Sequence, residues 1–258
     1  MRNVHAHDHE DTPRDVLAIG NDYPYPFELA RHQHRRAQLI YASEGVLTVD
    51  TPQGAWVAPP ERAVWIPAGA PHSAKMVGAV STRSVYIRPG VCVGRPDQCQ
   101  VLAVSPLLRS LLMAAPDILA EYDLDGRDGL VMALLVAEIA SAPVIPLAVP
   151  FPRHRALAAV CHRFLAEPDA NATIDQWADG LTLNRRAFTR LFRRETGMSF
   201  VGWRQQACLL TALPRLAAGE PVTTIALDLG YDSPAAFSTM FKRLLGIPPS
   251  HYQAGAAA

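Results

Sequence analysis

Two stretches near the carboxyl end repeat one order of parts, and this repeat restricts the fold more than any other feature of the chain. They run from Thr173 to Thr196 and from Pro221 to Leu245, and the residues placed to cap their second helices, Asn184 and Ser233, stand 49 positions apart. In the first stretch Thr173 and Gln176 have the spacing of a capping box for a helix over Ile174–Asp179, each side chain satisfying a backbone N–H that the helix start leaves unpaired. The Asn184 side-chain oxygen does the same for a second helix. There Phe188, Leu191 and Phe192 recur at i, i+3, i+4 as one buried stripe, while Arg186, Thr189, Arg190 and Arg193 project from other faces. In the second stretch Val222, Ile225, Ala226 and Leu229 form the stripe, and Gly230 ends the helix in a left-handed conformation. Ser233 then caps a helix that opens on Pro234, where the missing N–H costs nothing, and Phe237, Phe241 and Leu244 are its buried side.

Between the two units Ser199–Ala218 reads as one helix. Its length of about 30 Å approaches the ~34 Å between successive major-groove faces on one side of a DNA duplex. Pro214 removes a hydrogen bond to Leu210 and predicts a kink. Charge is unevenly shared. Residues 1–150 carry 12 Lys and Arg against 16 Asp and Glu, whereas residues 151–258 carry 12 against 8. Five arginines, Arg185, Arg186, Arg190, Arg193 and Arg194, fall within ten positions. Such a cluster is either a solvated helix face or, beside a helix-turn-helix pattern, a set of phosphate contacts.

The whole 258-residue chain is 49% hydrophobic and 19% charged, enough to bury a core and unlike a fibrous or disordered composition. No apolar run reaches the ~20 residues of a membrane span. Four cysteines, Cys92, Cys99, Cys161 and Cys208, form no paired motif, which fits a reduced, cytoplasmic setting. Residues 1–20 are expected to be a flexible tail, carrying no signal-peptide pattern in Met1–Asp15. Short β-branched and aromatic runs at Leu39–Tyr41, Val46–Val49, Ala63–Ile66 and Ser84–Ile87 predict a small antiparallel sandwich or barrel over residues 21–93. Residues 94–142 read as helical, at Pro106–Ala114 and Gly129–Ala140, where Val131, Leu134, Leu135 and Glu138 share helical spacing as a dimer face or as core. Four prolines, Pro143, Pro146, Pro150 and Pro152, mark an extended linker over 143–152. The fold class expected is α+β, a barrel followed by an all-α domain over 153–258.

Residues from about Asp175 to Tyr252 resemble the DNA-binding domain of the AraC/XylS family of bacterial transcriptional regulators. The resemblance is carried by Ile225–Pro234, Ala236–Phe237, Phe241–Arg243, Gly246 and Pro248–Tyr252, and in the first half by Leu191–Gly197 with Trp203. It implies that the second helix of each unit enters the major groove of promoter DNA. Carried over by position, the DNA-binding set is Arg185, Arg186, Thr189, Arg190 and Arg193 in the first unit, and Ser233, Ala235, Ala236, Ser238, Thr239 and Lys242 in the second. Arginine can pair bidentately with guanine, whereas the small residues of the second unit suit thymine methyl or phosphate contacts. Three positions depart from the family pattern. Thr182 stands where the first turn usually has glycine, Asn184 where serine is usual, and Cys208 where an arginine is common. The same resemblance implies a homodimer and RNA polymerase as partners.

The N-terminal half resembles a cupin. His32-Gln33-His34, Gln38 and Gly45 follow its first motif, and Pro67-Ala68-Gly69-Ala70-Pro71-His72 its second. His32 and His34, two apart on a strand, would share one face. With His72 and Gln38 they would form a site for a divalent transition metal. Gln38 stands where metal cupins carry Glu. Trp56, Trp65, Tyr41 and Tyr86 line a small-molecule pocket or pack as core. The effector is thus read as a metal ion or a small molecule. A cupin metalloenzyme would need an acidic partner beside its metal, and Gln38 removes the expected one, so no catalytic residue is assigned and a regulator is expected rather than an enzyme.

Overall fold

The computed structural model describes residues 11–24, 27–59 and 62–252, without the side chains at 78 and 79. The chain divides into two compact units, one of Met1–Thr51 with Trp56–Leu147 and one of Pro52–Ala55 with Ala148–Ala258.

The first unit is built on strands β1 (Val16–Tyr23), β2 (Phe27–His32), β3 (Ala37–Thr51), β4 (Gly54–Ala58), β5 (Arg62–Ile66), β6 (His72–Ile87), β7 (Gln100–Ala103) and β8 (Val144–Ile145). Their order is β1-β6-β3-β5-β7-β8, with β2 beside β6 and β4 beside β3. Among the described residues this path stays open, so the expected closed barrel is corrected to an open antiparallel sheet. Leu39–Tyr41 and Val46–Val49, expected as two strands, belong to one strand, β3, whose register against β6 shifts between Ala42 and Val46. The expected tail 1–20 is also corrected. Val16–Gly20 are buried in β1, with Val16 opposite Ile87 and Gly20 opposite Arg83, while residues 1–10, with His5, His7 and His9, lie outside the described residues.

Alternation along the strands gives the sheet two faces. One carries Val16, Leu39, Tyr41, Trp65, Val85, Ile87 and Leu102, and is covered by Leu108 and Leu112 of α1 (Pro106–Ala114) and Met132, Leu135 and Ile139 of α2 (Arg127–Ser141). Tyr41 and Trp65 are therefore core. On α2 the inward residues are those three, while Leu130 and Leu134 are exposed. The other face carries Gln38 beside Tyr86, and Ile40 beside Ser84. Part of the expected linker is strand: β8 pairs with β7, Leu102 opposite Val144, and Ala148–Pro150 forms β9.

The second unit is helical after β9: α3 (Arg155–Ala166), α4 (Ile174–Gly180), α5 (Arg185–Thr196), α6 (Phe200–Ala217), α7 (Val222–Asp228) and α8 (Pro234–Leu245). Its largest core gathers Phe164, Trp177, Phe188, Phe192, Phe200 and Trp203, whose ring centroids lie 4.9–6.4 Å apart, mostly edge to face. Each such pair adds about 0.5–1.5 kcal/mol beyond burial of its area. The Trp203 indole N–H donates to the Pro150 carbonyl at 2.8 Å, tying α6 to the start of the unit. α6 runs through Pro214 without ending, and the Pro214 carbonyl still accepts from Ala218. A second aromatic group, Tyr231, Phe237, Phe241 and Tyr252, sits under α8.

Candidate nucleic-acid interface and imidazole cluster

The two helix pairs, α4–α5 and α7–α8, match part for part. The Asn184 side chain accepts from Ala187 N–H and the Ser233 hydroxyl oxygen from Ala236 N–H. α5 ends on Gly197 and α8 on Gly246, both left-handed, at φ 72° and 81°. Within the turns, Leu183 N–H donates to Ala178 O and Tyr231 N–H to Ala226 O. One residue in each turn must therefore adopt a left-handed conformation: Thr182 at φ 57° in the first and Gly230 at φ 76° in the second. Gly230 also permits a close approach. A side chain there would place its Cβ 2.4 Å from Asp169 Oδ1, in the loop whose Asn171 side-chain N–H donates to the Gly230 carbonyl. Thr173 and Gln176 form the full capping box of α4.

α5 presents its polar side as the charge pattern requires. Phe188 and Phe192 are buried and Leu191 half-buried, while Arg185, Arg186, Thr189, Arg190 and Arg193 are exposed. Among the described residues Arg186, Arg190 and Arg193 have no ion-pair or hydrogen-bond partner. Arg185 differs from them, because its guanidinium is 2.8 Å from Asp175 of α4; a separation of ten positions gave no sign of that pair. The Thr189 hydroxyl donates back to Arg185 O at 2.8 Å. On α8, Ala235, Ala236, Thr239 and Lys242 are exposed, Ser238 is half-buried, Ser233 is engaged as the cap, and the Thr239 hydroxyl donates to Ala235 O. The two faces thus differ in chemistry on one scaffold. One offers unpaired arginines, the other methyl groups and a hydroxyl already in use.

Cys208 is fully buried in α6, and its thiol, pushed up to about 12 chiefly by burial, is hydrogen-bonded with the Tyr231 hydroxyl. A neutral contact thereby stands at the position where the family resemblance led one to expect an arginine.

In the first unit the four residues read as metal ligands come together. His32, the last residue of β2, lies opposite His72, the first of β6. His34 is not on a strand: it sits in the loop between β2 and β3, so the shared strand face expected for His32 and His34 is corrected. What places it is the donation of Gly69 N–H to the His34 carbonyl at 2.9 Å, which joins the loop before β6 to the loop before β3. The ring centroids are 4.3 Å apart for His32 and His72, 5.1 Å for His34 and His72, and 6.2 Å for His32 and His34. One ring nitrogen of each lies within 4.8 Å of the others. Every Nδ1 meets a main-chain carbonyl: His32 that of Ala30 at 2.8 Å, His72 that of Ala70 at 2.9 Å, and His34 that of Arg36. The carbonyl in each case makes Nδ1 a donor. Burial, reinforced by the neighbouring rings, pushes the His72 imidazole down to about 4 against the carbonyl bond, so it is neutral near pH 7. Gln38 Oε1 stands 3.0 Å from His34 Nε2, and its amide nitrogen donates to Ser84 Oγ and Tyr86 Oη at 3.0 and 2.9 Å. Tyr86, read in the sequence as pocket lining or core, is a hydrogen-bond partner of Gln38. Ser84 was missed in the sequence, although its separation from Tyr86 by two on one strand could have pointed to it.

Comparison with known proteins agrees with this division. Residues 15–135 match a family described as the AraC-like ligand binding domain, and residues 177–255 one described as a helix-turn-helix domain. The chain is 34% identical over 221 residues to the HTH-type transcriptional regulator NimR of Escherichia coli, covering 86% of this chain and 81% of that protein. It is 33% identical over 92 residues to the arabinose operon regulatory protein of the same organism, covering 34% of this chain and 30% of the relative. Among solved structures, ToxT from Vibrio cholerae aligns over 93% of this chain and 98% of its own at 11% identity, with a TM-score of 0.39. Among the described residues no helix is long and apolar enough to cross a membrane. The chain belongs to the AraC family of transcriptional regulators, with an AraC-like ligand-binding domain ahead of a helix-turn-helix DNA-binding domain.

Proposed function

We propose that α4–α5 and α7–α8 are two helix-turn-helix units reading successive major grooves of one promoter duplex, under the control of an effector held by the N-terminal domain. The observation that carries this reading is the matched pair of capped helices, one of which presents Arg186 and Arg190 exposed and without partners. α6 spans 18 residues, about 27 Å at 1.5 Å per residue, close to one duplex turn. Arg186 and Arg190 read bases, Arg193 and Lys242 meet phosphates, and α8 contributes small contacts through Ala235, Ala236 and Thr239. The effector is a metal ion or a small molecule in a cupin-like sheet. Homodimerisation through the outer side of α2, where Leu130 and Leu134 are exposed, and contact with RNA polymerase belong to the same reading.

Duplexes selected from a random pool by the purified full-length protein provide the test. In about 150 mM salt, Arg186→Ala and Arg190→Ala are each expected to weaken the selected duplex by about 1–3 kcal/mol and to relax the preference at one position. Binding to unrelated duplexes should change far less. Unchanged affinity and selectivity in the double variant would remove α5 from base reading.

A further inference from the structure

We propose that α8 selects thymine by its C5 methyl group, so that the two helix-turn-helix units read their half-sites by different chemistry: α5 by hydrogen bonds, α8 by apolar contact. This rests on the groove-reading role given to α8 above and names what that helix recognises.

The duplicated units can be compared position by position. From the caps onward α5 and α8 stay in one register, 49 positions apart. Asn184 and Ser233 are the caps, Phe188 and Phe237, then Phe192 and Phe241, are buried, and Gly197 and Gly246 are the left-handed ends. The outward positions correspond in the same way. Arg186 falls on Ala235, Arg190 on Thr239 and Arg193 on Lys242, and all six are exposed. At about 100° per residue, Ala235 and Thr239 lie opposite the buried Phe237, Met240 and Phe241. A recognition helix contacts base edges through its N-terminal residues, which puts these two against bases and leaves Lys242, in the last turn, to a phosphate.

The hydrogen bonds already made decide what the two can recognise. Ala235 has no polar side-chain atom. The Thr239 hydroxyl donates to Ala235 O at 2.9 Å, which spends its proton inside the helix and leaves its methyl group for an outside partner. Ala236, exposed beside Ala235, adds another methyl, and its N–H is taken by the Ser233 hydroxyl oxygen. The Ser238 side chain is half-buried to one side. Where α5 offers two guanidinium groups, α8 therefore offers no donor proton, and guanine, whose N7 and O6 both accept, finds no partner. Thymine is the base that carries an apolar group on its major-groove edge. Small side chains also let the α8 backbone approach the bases more closely than arginines allow, which contact between methyl groups requires.

The experiment uses the full-length protein and a duplex it selects from a random pool, with the α8 segment located by footprinting at about 150 mM salt. Replacing thymine by deoxyuridine removes only the methyl group. In the α8 segment this should weaken binding about fourfold for each thymine that meets Ala235 or Thr239, and in the α5 segment it should change affinity far less. Exchanging such a T·A pair for C·G should weaken binding, and 5-methylcytosine in place of that cytosine should restore part of the loss. Thr239→Ser keeps the hydroxyl and removes the methyl. It should bring the ratio of thymine to uracil affinity close to one at one position, with the melting profile unchanged. A protected α8 segment that lacks thymine, or that binds alike with thymine and uracil, overturns the methyl reading and leaves α8 in the groove. An equal loss from uracil in both segments also overturns it, since duplex shape rather than α8 would then be the cause. An unprotected segment overturns the groove role of α8 itself, so the two readings fail separately.

Discussion

At the scale of single residues, the two turns carry one backbone requirement with two different answers. Thr182 and Gly230 both take positive φ, 57° and 76°, a region that costs a side chain with a Cβ on the order of 1–2 kcal/mol. Thr182→Gly is accordingly expected to stabilise the helical unit by about 1 kcal/mol, after the entropy of a glycine in the unfolded chain is set against the relieved strain. Gly230→Ala goes the other way. Its Cβ would meet Asp169 Oδ1 at 2.4 Å and Ala170 N at 3.2 Å, in a loop held by donation of Ala170 N–H to Leu229 O, and should cost about 2–3 kcal/mol. Urea denaturation of both variants checks the pair; equal and opposite-signed results to these would show that the turns do not constrain the fold. Thr182 was recognisable in the sequence as a departure from glycine. The Asp169 contact was not, because a loop sixty positions away supplies it.

At the scale of elements, α5 is joined to the start of α3 through Glu195. Its carboxylate accepts from Arg153 N–H and His154 N–H, each at 3.1 Å, and from the Arg194 guanidinium. The Arg194 hydrogen bond foremost, with the two backbone donors, holds the acid below its ordinary value of 4.5. A carboxyl lowered on folding adds stability that is present above its unfolded value and is lost as pH falls through the folded one. Wild type should therefore melt higher than Glu195→Gln at pH 7, and the gap should narrow as the solution is taken below 4.5; a gap independent of pH would deny the ionised tie. Element boundaries set by local chemistry were legible in advance: the capping box at Thr173, the caps at Asn184 and Ser233, and Pro234 at a first helical position. The sheet was legible only in parts. Its strand order depends on pairing between distant segments, so neither the openness of β1-β6-β3-β5-β7-β8 nor the single long β3 could be read from short apolar runs. β8 escaped notice because prolines flank it, a pattern that suits an edge strand as well as a linker.

At the scale of the whole molecule, the division into a sheet-based and a helical unit was visible in the change from short β-branched and aromatic runs to helical patterning and in the opposite net charges of residues 1–150 and 151–258. The imidazole cluster was visible as a set of residues but not as a geometry. His34 was placed on the wrong kind of element, since the bond from Gly69 that fixes it leaves no trace in spacing. The central claim concerns the helical unit, which would put two capped helices into one side of a duplex. Hydroxyl-radical and methylation footprinting of the full-length protein on a selected duplex tests it directly. The account predicts two protected major-groove segments centred about 34 Å apart on the same face, the α5 segment losing protection with Arg190→Ala. A single protected segment, or protection without sequence preference at 150 mM salt, would contradict it.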